Sequence, residues 1–205
     1  MVRGGAIAGM VGPMLFASVV VLLTMVQYDF MIQTGWRPVA DPAGAWPSGL
    51  ALGPYGWAQS LNFAVSGLAL IFFALGLRRG IAGGSKAGSA LLLVSAFAMT
   101  LLAFETDPIT RTGPRTLHGW VHDLAFILFV VSLTPSFFFL WRCMEKDPLW
   151  KSYGRYTLIT GLLATPLLLL PGPTYYLSLV LILTWLELLA IRLWRVAGSP
   201  EGDSS

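Results

Sequence analysis

Charge is scarce in this sequence: only 11% of its 205 residues are Asp, Glu, Lys or Arg, whereas 56% are hydrophobic. That balance excludes a soluble domain of this length, which could not leave so much apolar surface in water. A single cysteine, Cys143, allows no internal disulfide and offers one thiolate to a metal. There are only two histidines, His118 and His122. They share one helical face, so they cannot take the opposite axial positions of one iron, which excludes bis-histidine haem within a single chain. The G-x-S-x-G elbow of a serine hydrolase is missing. So is the H-E-x-x-H of a zinc protease, because HGWVH carries glycine where the glutamate belongs. The net charge of +3 comes from basic residues spread in short groups at the ends of apolar runs. With no basic patch, a nucleic-acid partner is not expected.

What the chain does have is a succession of apolar runs. Stretches long enough to cross a hydrocarbon core, roughly 17–25 residues, fall at about 6–28, 54–77, 87–104, 117–141, 152–170 and 175–194. They predict an all-α polytopic membrane protein, a six-transmembrane-helix bundle forming one domain over residues 1–198 with a short polar tail at 199–205. The first run follows Arg3 but is as long as a full span, and no small-x-small cleavage site follows it, so it reads as a retained helix.

Orientation follows from lysine and arginine. With the amino terminus inside, the inner segments hold Arg3, Arg78, Arg79, Lys86, Arg142, Lys146, Lys151, Arg155, Arg192 and Arg195, and the outer ones only Arg37, Arg111 and Arg115. The positive-inside rule therefore predicts both termini in the cytoplasm and a multi-pass protein of the cytoplasmic (inner) membrane. The first outer loop, DFMIQTGWRPVADPAGAWPSGLALGPYGW, is too apolar for a solvated tail and too rich in proline and glycine for a helix. It is expected to lie over the outer end of the bundle, as a lid or as an interfacial anchor.

Within the spans, Gln59, Asn62 and Ser66 recur every three or four residues and should form one polar stripe. Gly5 with Gly9, and Ala8 with Gly12, have the spacing of close helix packing. Glu187 is expected to pair with Arg78, Arg79, Arg142 or Arg155 near the inner end. Asp123, about six residues inside its span, needs compensation of its own.

The densest polar constellation surrounds TLHGWVHDLAF. His118 and His122 are about 40° apart on one helix face, with Asp123 turned away. Their place near a helix start, beside Arg111 and Arg115, favours neutral imidazole, the form that ligates metals. FETDPITRTGPR brings Glu105 and Asp107 to the same rim. A site of His118 and His122 with a carboxylate, Asp107, Glu105 or Asp29, and water as the fourth ligand would suit a divalent metal such as zinc. The alternative is that the histidines bond Gln59, Asn62 or loop carbonyls to close the outer end.

Phe104, Asp107 and Pro108, followed by the His118-Gly119-x-x-His122 motif and preceded by the glycine-rich GAIAGMVGPMLF, resemble the membrane proteins of domain of unknown function family 998 over nearly the whole chain. That resemblance implies a polytopic membrane protein. It supports Asp107, His118 and His122 as a unit but supplies no reaction.

The function expected is binding of a small or lipid-derived ligand in an outward-facing pocket within the lipid bilayer, with or without a metal. Gln59, Asn62, Trp120 and Asp123 are the ligand-binding candidates. One alternative is metal-dependent hydrolysis of a lipid or headgroup, with Asp107, His118 and His122 as ligands and Glu105 as base. Another is a non-catalytic accessory subunit.

Overall fold

Each of the six apolar runs forms a helix, the conformation that satisfies its own backbone without water. The computed structural model describes residues 1–82 and 84–198, and the predicted tail at 199–205 lies outside the described residues. The helices are α1 (Val2–Val26), the short α2 (Tyr28–Gln33), α3 (Gly56–Gly80), α4 (Lys86–Leu101), α5 (Leu117–Met144), α6 (Lys151–Leu169) and α7 (Thr174–Val196). Two 3₁₀ turns, Pro42–Gly44 and Ser48–Leu52, lie between α2 and α3. There is no β-strand among the described residues.

The helices α1, α3, α5 and α7 are long and apolar enough to cross a membrane. Two of the six expected spans fall short of that standard. α4 has 16 residues, about 24 Å at 1.5 Å per residue, against a hydrocarbon core of about 30 Å. α6 opens with KSYGRYT, and these polar residues dilute its apolar character.

Successive long helices pack side by side, and α7 returns to α1, so the six close into a ring in the order α1, α3, α4, α5, α6, α7. The start of α1 and the end of α7 meet at one end of the ring, the base, where Arg3 Nε donates to the Ala197 carbonyl at 3.4 Å. The predicted small-residue contacts are present. A β-carbon on Gly5 would lie 2.7 Å from Gly76 Cα, and one on Gly9 would lie 2.3 Å from the Phe73 ring, so α1 sits against α3 at near-backbone distance.

The base is filled by a core that includes Phe73, Leu77, Leu92, Leu140, Trp185, Leu189 and Leu193. Asp147 is buried there and accepts from the Ala82 N–H at 2.8 Å, while Trp150 Nε1 donates to the Gly80 carbonyl at 2.8 Å. These bonds tie the α3–α4 turn to the α5–α6 turn.

Residues 27–55 form an ordered cap over the other end. Gln27 is buried, donating to the Leu50 carbonyl and accepting from the Tyr55 N–H. Trp46 Nε1 donates to Thr24 Oγ1 at 2.7 Å, and Tyr176 Oη donates to the Pro38 carbonyl at 3.0 Å. Met31, Trp36 and Leu50 are buried with Phe16, Phe63 and Leu102 of the helices, so the cap shares a core with the ring.

Glu187 departs from expectation. It is about nine residues from the base end of α7, roughly 13 Å along the axis, beyond the reach of the arginines there. It forms no ion pair among the described residues, and its Oε2 is buried without a hydrogen-bond partner. Arg155 instead pairs with Glu145 at 3.6 Å.

Candidate functional site

The start of α5 is built by the residues that the sequence singles out. Thr116 is the N-cap, its Oγ1 accepting from the Gly119 N–H at 3.0 Å. Asp107 caps the cap: its carboxylate accepts from the Thr116 N–H at 3.0 Å and from the Thr116 hydroxyl at 2.8 Å, with Arg111 at 3.7 Å. Partial desolvation pushes the Asp107 carboxyl up, but the Thr116 bonds and the charges of Arg111 and Arg115 outweigh it and hold the group below the ordinary carboxylate value. A β-carbon on Gly119 would stand 2.3 Å from Asp107 Oδ2, so glycine is what lets the carboxylate reach the helix. Asp107 and Gly119 are thus accounted for by helix capping.

The two histidines have different surroundings. His118, in the first turn of α5, is exposed and meets the Phe104 ring in a T-shaped contact, 5.6 Å between ring centroids. His122, one turn deeper, is buried at 5% exposure. Its Nδ1 lies 2.7 Å from the Phe104 carbonyl and 3.1 Å from the Leu102 carbonyl, and its Nε2 lies 2.8 Å from Ser48 Oγ. Carbonyls only accept, so Nδ1 carries the proton, and the Nε2 lone pair of the neutral ring faces the Ser48 hydroxyl. The carbonyls are those just past the end of α4, which lack partners within the helix. One imidazole therefore joins α4, α5 and the cap. The expected alternative, histidine bonded to loop carbonyls, describes His122 and not His118.

The other candidates are dispersed. Asp123 is paired with Arg115. Gln59, Asn62 and Ser66 form the predicted stripe: Asn62 Nδ2 donates to the Phe16 carbonyl at 3.2 Å and to Gln59 Oε1 at 3.3 Å. Gln59 and Asn62 are buried, Asn62 against α1, and Gln59 Nε2 has no partner among the described residues. Trp120 and Glu105 are exposed. No three side chains of His, Cys, Asp or Glu are grouped to hold a metal ion among the described residues. His122 is engaged by protein partners, Asp107 by the helix cap, and His118 is exposed.

Two cavities meet at Ser48. The first, about 100 Å³, lies inside the ring and is apolar, reached by Phe16 of α1, Phe63 of α3, Leu102 past α4, Phe129 of α5, Leu168 of α6 and Leu179 of α7. The second, about 130 Å³, is a vestibule under the cap lined by polar groups including Thr34, Thr106, Asp107, His122 and Asp123. Ser48, Phe126 and Tyr175 line both. Nothing in the sequence singles out Ser48: it stands in no nucleophile motif, and its partner His122 is 74 positions away.

Residues 10–192 match a family model described as protein of unknown function (DUF998). No curated protein and no solved structure matches the chain.

Proposed function

The chain belongs to the DUF998 family, and from that premise we propose that it is a six-span protein of the cytoplasmic membrane that binds a lipid-derived, single-chain amphiphile. The base carries ten of the thirteen lysines and arginines, which supports a cytoplasmic base and an outward-facing cap. α4 and α6 cross with their ring neighbours, their charged residues Lys86, Lys151 and Arg155 exposed at the base. One observation carries the ligand reading: an apolar cavity lined by all six long helices shares Ser48, Phe126 and Tyr175 in its wall with a partly polar cavity beneath the cap. An alkyl chain would gain by leaving its polar end in the vestibule, where Thr34, Thr106 and Asp123 provide hydrogen-bonding groups.

The test is energy transfer from tryptophan to cis-parinaric acid, with the full chain in lipid nanodiscs. Saturable transfer above that of empty nanodiscs is expected. Leu179→Phe, which fills part of the apolar cavity without adding a tryptophan donor, should weaken it. Transfer that never saturates, or is identical in the filled variant, would refute ligand binding in the ring.

A further inference from the structure

We infer that Ser48 and His122 form a nucleophile–base pair that hydrolyses a carboxylic ester of the amphiphile, an inference that rests on the binding reading above. The separation of 2.8 Å between Ser48 Oγ and His122 Nε2 is that of a nucleophile and its general base. A base of this kind also needs a third group to fix its tautomer, and the Phe104 and Leu102 carbonyls do so at Nδ1. These carbonyls stand just past the C-terminal end of α4, where the helix dipole is negative, so they would also stabilise the imidazolium that forms during reaction.

The position of Ser48 separates this reading from a mere clasp for the cap. The cap is already fastened by Gln27, Trp46 and Tyr176. A clasp gains nothing from facing free space, yet Ser48 lines both the apolar cavity and the vestibule. A chain seated in the first with its polar end in the second would bring the bond between them to Ser48.

The chemistry balances without an oxidant or a metal ligand set. Ser48 Oγ adds to the ester carbonyl carbon as its proton passes to His122 Nε2. The bond from that carbon to the alkoxy oxygen breaks, and Nε2 returns the proton to the departing alcohol, leaving an acyl-serine. Water from the vestibule adds next, giving a proton to Nε2 and receiving acyl from Ser48. Collapse returns the proton to Ser48 Oγ and releases the carboxylic acid.

The test treats the full chain in nanodiscs with an alkyl fluorophosphonate and with p-nitrophenyl octanoate. The expected results are a phosphonyl adduct on Ser48 by peptide mass spectrometry and ester hydrolysis that falls about 10²–10⁴-fold in Ser48→Ala. Binding of cis-parinaric acid by the wild-type chain is measured alongside, which keeps the two readings apart. His122→Gln should lose the adduct while Ser48 remains present. Saturable parinarate binding with no Ser48 adduct, or hydrolysis equal in wild type and Ser48→Ala, overturns the pair and leaves the binding reading standing. A Ser48 adduct in a chain that binds no parinarate would overturn the binding reading alone.

Discussion

The carboxylate of Asp107 occupies the space that a β-carbon on Gly119 would need, 2.3 Å from Oδ2. The two residues are coupled because the Thr116 N–H and hydroxyl hold the carboxylate in that place. Gly119→Ala is expected to destabilise the fold by about 1–3 kcal/mol through overpacking. In an Asp107→Ala background the same change should be neutral or slightly stabilising, since alanine is the better helix former. Heat-induced unfolding of the four proteins in one detergent gives the cycle. Equal effects of Gly119→Ala in both backgrounds would show that the carboxylate is not what excludes the methyl group.

The same contact predicts an acid limit. The folded Asp107 carboxyl lies below its ordinary value, so its stabilising contribution is complete above the unfolded value of about 3.9. It is lost as pH falls through the lower folded value. Wild type should therefore lose unfolding temperature below about pH 4 more steeply than Asp107→Asn, with parallel profiles between pH 5 and 7. A divergence of the two profiles only above pH 5 would place the responsible proton elsewhere.

Much of this arrangement is legible in the sequence because it is local or periodic. Gln59, Asn62 and Ser66 fall on one face by helical spacing alone, and Gly5 and Gly9 announce close packing in the same way. Asp107 is placed on the rim of α5 by the sequence, but its capping of Thr116 beside Gly119 is not read there. The relation of His122 to Ser48 is not legible. It depends on how a loop of more than twenty residues folds back over the ring, and no spacing rule encodes that closure. For the same reason the arginine partners expected for Glu187 are not the outcome: its Oε2 is without a hydrogen-bond partner among the described residues.

Cys143 offers a direct test of the frame. It lies at the base, half-buried beside a surface groove formed with Phe138, Phe139, Arg142 and Lys146. With the base in the cytoplasm, a membrane-impermeant maleimide should label it in inverted vesicles and not in intact cells. Labelling from outside only would reverse the orientation and place the cap in the cytoplasm.

The two histidines should differ sharply when each is replaced. His118 is exposed and its contact with Phe104 is an edge of one ring, so His118→Ala should change stability by no more than about 0.5 kcal/mol. His122→Ala would strip partners from Ser48 and from the carbonyls past α4 in a buried setting. Each group left unsatisfied costs about 1–3 kcal/mol. A shared metal predicts the opposite pattern, in which either change removes the same ion and the double variant is little worse than either alone. Unfolding temperatures of the two single variants and the double variant, each with and without a chelator, decide between them. Here the His122 variant should carry nearly the whole loss and the chelator should move none of the midpoints. Equal losses from both histidines, reproduced in wild type by the chelator, would restore them as ligands of one ion.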